Sequence, residues 1–403
     1  MELGIEEAED EKVDRNPNMN KIKLLLILEA TAGGTRRYIT QVLSHLDLNR
    51  FEPVLFCAAK RDPAFLLDIE LIRNRGIKVL VFPIRREISP ISDLWLILKM
   101  AKAIMREKPD IVHTHSSKAG IIGRTAARLA GVAKIAHTPH VFPFEMAVGK
   151  FKRRFYLFLE RIAAKWTTLL IAVSNAEKAT ALKYGLFNAE NTTVNANGID
   201  PDLWREADPV ERGKLRERAG IPKDVFVVGM VGRFMPQKGH RILIEAAEIL
   251  LKRNKDMHFA LVGDGELKNK IMDLTVLNKT DRSFHFFEQT DKIAPYYAMF
   301  DCLVLPSLWE GCPFTVMEAM AMRIPVIASS VGGVDEIIED RVSGLLIPPA
   351  DAGSLADAIE ILCEDRRLCE NLGQKGQQRI LEKFLLADSI RRLEEIYRQM
   401  LKD

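Results

Sequence analysis

From Lys21 onward the chain alternates short apolar runs with amphipathic stretches of helical period, and this alternation leaves little choice of fold. Apolar strands separated by whole helices cannot close as hairpins. They pair in parallel, and the helices cover both faces of the sheet. In the first half the expected strands are 22–28, 53–58, 77–82, 110–113, 133–137 and 168–173; in the second they are 225–232, 257–262, 283–287, 301–305, 324–328 and 344–347. Glycine and proline interrupt the pattern at Asn197-Gly198-Ile199-Asp200-Pro201-Asp202, and a polar stretch runs on to Lys223. The expected fold class is α/β, with two doubly wound Rossmann-like domains. Residues 1–20 form an acidic tail expected to be disordered, 21–200 the first domain, 201–222 a linker, 223–386 the second domain and 387–403 a last helix. That helix carries Ile390, Leu393, Ile396 and Tyr397 on one side, and from its pattern alone it could pack against either domain.

A chain of 403 residues is too long for one comfortable core and suits two. No apolar run reaches membrane-spanning length, and Met1-Glu2-Leu3-Gly4-Ile5-Glu6-Glu7 lacks the basic and apolar regions of a secretory signal, so a cytoplasmic location is expected. The five cysteines show no CxxC spacing, which argues against a zinc site or a disulfide framework.

The net charge of +3 conceals an asymmetry. Residues 21–200 hold 28 Lys and Arg against 15 Asp and Glu, residues 201–403 hold 28 against 33, and the first twenty hold 2 against 7. A basic front half suits nucleic acid, an anionic membrane face or an acidic substrate. Nucleic acid is disfavoured, since the sequence carries no zinc finger, aromatic RNA-binding signature or continuous basic helix. Lys150-Phe151-Lys152-Arg153-Arg154-Phe155-Tyr156-Leu157-Phe158-Leu159 mixes cations and aromatics at helical spacing. It reads either as a contact with anionic lipid or as a surface helix with its apolar side in the core.

Ser307-Leu308-Trp309-Glu310-Gly311-Cys312-Pro313-Phe314-Thr315-Val316-Met317-Glu318 directs two carboxylates and a helix start at one small volume. Strand 301–305 leads into the loop Glu310-Gly311-Cys312, and Pro313 is expected as the first residue of a helix. Free N–H groups at that helix start suit a phosphate, and Glu310 and Glu318 can accept hydrogen bonds from hydroxyls. The guest that fits carries both phosphate and sugar.

Other loops lie at strand ends, where ligands of open parallel sheets bind. Thr31-Ala32-Gly33-Gly34-Thr35 opens the first helix without completing a GxGxxG fingerprint; a tight turn needs glycine there in any case. Gly232-Arg233-Phe234-Met235-Pro236-Gln237-Lys238-Gly239 lacks the ending of a P-loop but brings two cations able to neutralise a leaving diphosphate. Val262-Gly263-Asp264-Gly265-Glu266 adds a third glycine turn, near where a base could lie. His113, His115, His137 and His140 end two neighbouring strands, where they can bond a sugar oxygen or move a proton, whereas His258 and His285 read as ordinary strand residues. No carboxylate cluster accompanies the four, and their spacing matches no zinc pattern, so no metal is expected. The one DxD, Asp200-Pro201-Asp202, sits in the turn between domains and reads as turn and cap chemistry. No GxSxG elbow appears.

Glu310 and Glu318, with seven residues between them within EGxPxxxxEAMA, give the chain its resemblance. Together with the Gly33-Gly34 loop, the His113-Thr114-His115 strand end, Thr138-Pro139-His140, Asn197-Gly198-Ile199-Asp200, the Arg233 to Lys238 loop and Gly332-Gly333, all in order, they make it similar to the retaining nucleotide-sugar glycosyltransferases of family 4. The likeness spans Lys21 to the last helix. It implies the GT-B fold, two Rossmann-like domains facing each other across a cleft, with the C-terminal helix crossing back onto the front domain.

The resemblance further implies that Arg233 and Lys238 hold the donor diphosphate, Glu318 the ribose and Glu310 the transferred sugar. Gly232, Gly263 and Gly311 would line the donor site, and backbone N–H groups at Phe314 and Thr315 would add to the phosphate site. His140 would lie at the reacting centre, and Gly33, Gly34 and His115 on the acceptor side. Transfer would need no cofactor or metal, and the leaving phosphate would take the acceptor's proton. A lipid-linked or glycan acceptor in cell-surface or capsular polysaccharide synthesis is the expected partner, at the inner face of the membrane. Phe287-Glu288-Gln289-Thr290 departs from the family's frequent Gly and Arg at that place, which leaves the base and the donor nucleotide open. The alternatives are a nucleotide-sugar epimerase of the same fold and a non-catalytic sugar-binding module.

Overall fold

The computed structural model describes residues 21–58, 64–85, 87–206, 208–253 and 255–402, so the acidic segment 1–20 lies outside the described residues. Two parallel sheets organise the chain. The first contains β1 (Ile22–Leu28), β2 (Phe51–Cys57), β3 (Lys78–Val81), β4 (Ile111–His115), β5 (Lys134–Thr138), β6 (Leu169–Ala172) and β7 (Thr192–Val194), in the order β3-β2-β1-β4-β5-β6-β7. The second contains β8 (Phe226–Val231), β9 (Met257–Val262), β10 (Phe284–Phe287), β11 (Cys302–Leu305), β12 (Val326–Ser329) and β13 (Leu345–Ile347), in the order β10-β9-β8-β11-β12-β13. In each sheet the order reverses beside its first strand, the arrangement of a doubly wound fold, and a crevice opens there beyond the strand ends.

The strands are apolar on both faces because both faces are covered. In β1, Leu24, Leu26 and Leu28 enter one core and Leu25 and Ile27 another. β7 has no counterpart among the expected strands. Three residues, two of them threonine, are too few to show a period, and its pairing with β6 holds it in place.

The stretch 201–222, read as a linker, carries a helix, Pro209–Arg218, capped by Asp208. Its buried Arg216 donates to the carbonyls of Met299, Lys223 and Val225 and pairs with Asp301 at 2.7 Å, which seats the helix on the second sheet.

The final helix, Leu386–Met400, lies on the first sheet. Tyr397 Oη is 2.7 Å from His113 Nδ1, Ser389 donates to the Ala196 carbonyl at 2.7 Å, and Glu394 accepts the Asp47 amide at 2.9 Å. The chain therefore passes between the halves twice, and the passages touch. Ile199 pairs with Leu385, and a Cβ on Gly198 would stand 2.6 Å from the Leu385 carbonyl oxygen, so only glycine fits. Among the described residues no helix is long and apolar enough to cross a membrane.

Candidate active site

Glu310 lies in the loop beyond β11 and is buried. Its Oε1 receives the Lys238 ammonium at 2.6 Å and the Ser307 hydroxyl at 2.7 Å. Gln237 ties down the same loop by donating to the Trp309 carbonyl at 2.8 Å. Lys238 reaches it from a short 3-10 turn beyond β8, so the loops of two adjacent strands meet at one carboxylate. Gly332, at φ +57°, lets the chain after β12 come close; a Cβ there would stand 1.9 Å from the Glu310 carbonyl oxygen.

Glu318 sits in the helix Phe314–Ala321, which begins one residue later than expected, with Pro313 in the extended N-cap position. No side chain caps this helix, and the Thr315 hydroxyl at its start is shut away from solvent without a hydrogen-bond partner. The helix start therefore keeps donors for an anion. Tyr297 donates to Glu318 Oε2 at 2.5 Å, and Arg37, from the first half, pairs with Oε1. The Arg37 guanidinium lies 5.0 Å from the Trp204 ring and 4.8 Å from the Phe314 ring, and burial lowers its pKa to about 10, which leaves it charged at neutral pH.

The remaining expected residues border the same space. A Cβ on Gly33 would meet the Arg233 side chain at 4.0 Å, and one on Gly34 the Phe314 ring at 3.7 Å. A Cβ on Gly263 would stand 2.1 Å from the Gly232 carbonyl oxygen, which joins the two glycine loops. Gly311 faces the His140 carbonyl across the domains, 3.5 Å from where its Cβ would be. Arg36, next to Arg37, pairs with Asp68 at 2.5 Å and reaches Asp291 of the second half at 3.4 Å.

His113, His115 and His140 cluster at the ends of β4 and β5 with ring centroids 4.0 and 5.5 Å apart, whereas His137, in register with Thr114, lies on the opposite face of the sheet. His140 Nε2 is 3.3 Å from His115 Nδ1, His113 lies between Tyr397 and Thr138, and His137 lies against Thr114. Desolvation lowers His113 and His140 to about 3 and holds His115 and His137 well below 6.5, so all four are neutral at physiological pH. A neutral His140 can orient a hydroxyl but holds no ready proton to give. His258 and His285 stack on one another, Nδ1 to Nε2 2.7 Å, and Asp200 accepts the Asp202 amide at 3.1 Å in a turn. Among the described residues no group of three or more His, Cys, Asp or Glu side chains is arranged to hold a metal.

Arg37, Tyr297, Ser307 and Gln237 were not legible as site residues. Arg37, Tyr297 and Gln237 reach the site through contacts distant along the chain, and only Ser307, three residues before Glu310, has a local signal.

A family model described as Glycosyltransferase Family 4 matches residues 32–203, and one described as Glycosyl transferases group 1 matches residues 211–379. The chain is 33% identical over 391 residues to the UDP-Gal:alpha-D-GlcNAc-diphosphoundecaprenol alpha-1,3-galactosyltransferase of Escherichia coli, covering 95% of this chain and 98% of that protein. It is 29% identical over 326 residues to the capsular polysaccharide biosynthesis glycosyltransferase CapM of Staphylococcus aureus, covering 80% and 85% respectively. In fold it resembles Anabaena Alr3699/HepE, solved in complex with UDP and glucose, with a TM-score of 0.80, 23% identity, and coverage of 94% of this chain and 100% of that one.

Proposed function

The chain belongs to the family 4 glycosyltransferases and has the GT-B fold, and we propose that it transfers a hexose, with retention, from a nucleoside diphosphate to a lipid-linked or polysaccharide acceptor in cell-surface polysaccharide assembly. The observation that carries this reading is the Lys238–Glu310 contact beside an uncapped helix start. A cation, a carboxylate and free amide donors suit one guest that is diphosphate at one end and sugar at the other.

In this reading Arg233 and Lys238 stabilise the charge that grows on the leaving diphosphate, and the amides at Phe314 and Thr315 share it. Stabilisation of developing charge by fixed donors is the largest single contribution in many transferase sites. The leaving phosphate oxygen takes the acceptor's proton, so neither a protein nucleophile nor a metal is needed. Glu310 grips hydroxyls of the sugar and Glu318 those of the ribose, while neutral His140 orients the acceptor or the sugar. UDP-galactose is the first donor to test, because the Escherichia coli relative is a UDP-Gal transferase acting on a diphosphoundecaprenol-linked sugar.

A lipid-linked acceptor calls for a protein that rests on the cytoplasmic face of the membrane, and two helices of the front half suit that. In Lys150–Ala164 only Glu160, Ala163 and Ala164 are fully buried, while Phe151 is 88% exposed and Phe155 and Phe158 follow it on the same stripe. Lys150, Arg153 and Arg154 line a concave space of about 360 Å3 beside them. In Pro90–Glu107, Ile91, Leu94, Trp95 and Leu98 form a second exposed stripe, with Ile91 87% exposed. Both helices flank Ser117–Leu129 on the same face of the sheet.

The test is turnover of a nucleotide-sugar panel, with and without an undecaprenyl-diphosphate-linked sugar. Transfer with retained anomeric configuration supports the proposal. Conversion of the donor to another sugar without acceptor, or tight binding without turnover, overturns it.

A further inference from the structure

Glu177 takes no part in the site as described so far. It is the third residue of the helix Asn175–Lys183, and Ser174 at the N-cap accepts its amide at 3.1 Å, so Ser174-Asn175-Ala176-Glu177 is a capping box. In that motif the glutamate turns back to the N-cap amide; here one of its oxygens reaches one residue further, accepting from Val173 at 2.9 Å. The other oxygen does what no helix cap requires. It accepts from the amide of Val141, 36 residues earlier, at 2.7 Å.

The turn it holds is an unusual one. His140 has φ 55° and Val141 φ 107°, in the left-handed region that side chains rarely adopt and that a β-branched residue suits worst. Gly311 packs against this turn from the second half: its Cβ position is 3.4 Å from Val141 Cγ2, 3.3 Å from Val173 Cγ2 and 3.5 Å from the His140 carbonyl oxygen. The two amides that Glu177 holds thus belong to the two residues that flank the loop carrying Glu310.

We propose that Glu177 is a positioning residue for the transfer, which fixes the left-handed His140-Val141 turn and so seats His140 opposite the Glu310-Gly311 loop. This rests on the reading of His140 as a residue of the reacting centre. An ionised carboxylate accepts both amides, whereas glutamine has one acceptor oxygen and would turn N–H against N–H at the other position. The side chain is 4% exposed, and burial together with the nearby Glu145 carboxylate raises it to about 7 against the bonds from Val173 and Val141, so the charged form is held at a cost. Across the cleft it faces Cys312, whose thiol burial pushes up to about 12 and keeps neutral.

The experiment compares the parent, Glu177→Gln, Ser174→Ala and the double variant Glu177→Gln/Val141→Gly. It measures UDP released from UDP-galactose, or nucleotide released from whichever donor of the panel the parent turns over, together with thermal unfolding. Glu177→Gln is expected to lose about 30- to 100-fold in kcat with little change in donor KM, the scale set by misplacing a site group by about an ångström. Glycine at 141 accepts φ 107° without strain and should return about fivefold or more of that loss. Ser174→Ala, which weakens the cap and leaves the reach to Val141 intact, should lower the melting temperature and keep kcat. A folded Glu177→Gln with kcat within about threefold of the parent overturns the proposal. A kcat loss that Ser174→Ala reproduces, or that the double variant leaves unrelieved, also overturns it. If Glu177→Gln does not fold, the parent's pH profile decides: kcat falling below about pH 7 supports the assignment and a flat profile rejects it. If the parent turns over no donor, the transferase reading fails instead, and a crystal structure of Glu177→Gln decides the positioning role, supported if Val141 leaves the left-handed region and refuted if it stays.

Discussion

The ammonium of Lys238 and the carboxylate of Glu310 lie 2.6 Å apart although 72 residues separate them in the chain. The contact joins loops from adjacent strands β8 and β11, at the point where the strand order of the second sheet reverses. Replacing either residue by alanine should lower kcat/KM for the donor by about 100- to 1000-fold, the usual cost of one fixed charge-stabilising group. Because each residue holds the other in place, the double variant should lose far less than the product of the single losses, as a double-mutant cycle of steady-state rates will measure.

Gly332→Ala should disturb the same loop from behind. The added methyl would fall 1.9 Å from the Glu310 carbonyl oxygen at a positive φ, so the loop must shift. A loss of about 1–3 kcal/mol in urea unfolding and a fall in kcat are expected together. Alanine at Gly213, which meets nothing within 4 Å, serves as control.

Arg124 and Glu160 form a fully buried pair at 2.7 Å that ties Ser117–Leu129 to the basic helix Lys150–Ala164. Glu160→Ala would strand the guanidinium with only the Gly120 carbonyl and the Thr167 hydroxyl. The expected cost is about 3–5 kcal/mol in denaturant unfolding, since an uncompensated buried charge is expensive.

Glu177 sets a pH dependence of stability whose sign follows from its raised pKa. Its folded pKa of about 7 exceeds the ordinary 4.5, so between these values the folded state binds more protons than the unfolded one. This contribution is complete below about pH 4.5 and is lost as pH rises through 7, for a total of roughly 3 kcal/mol. Urea unfolding should therefore show the parent losing stability relative to Glu177→Gln between about pH 5 and 8. Parallel curves would contradict the burial argument.

Co-flotation with vesicles tests the membrane surface. Binding to vesicles rich in phosphatidylglycerol should exceed binding to neutral phosphatidylcholine, weaken as salt screens the charges and drop in Arg153→Glu/Arg154→Glu, each cation contributing about 1 kcal/mol. Phe151→Ser and Ile91→Ser should weaken binding with less effect on its salt dependence.

Twelve of the thirteen strands among the described residues were legible because a strand covered on both faces must be apolar along its whole length. β7 was not, since its three residues depend on the neighbour they pair with. Glu310, Glu318, Arg233 and Lys238 stood out because loop, glycine and charge occur together at predictable strand ends. Arg37 did not, because its partner Glu318 lies in the other half and an arginine in a first helix has no local mark. Glu177 was half legible. Ser174-x-x-Glu177 announces a helix start, but the bond to Val141 depends on how two strand ends come together in space.

The side-by-side passages at Ile199 and Leu385 constrain how the two lobes can move. The Ile199 amide donates to the Phe384 carbonyl at 2.9 Å and the Leu386 amide donates to the Ile199 carbonyl at 3.0 Å, so the two passages are tied to each other by their backbones. Neither passage can slip along the other without breaking these bonds, so the crossing fixes one edge of the frame in which the Glu310-Gly311 loop meets the His140 carbonyl.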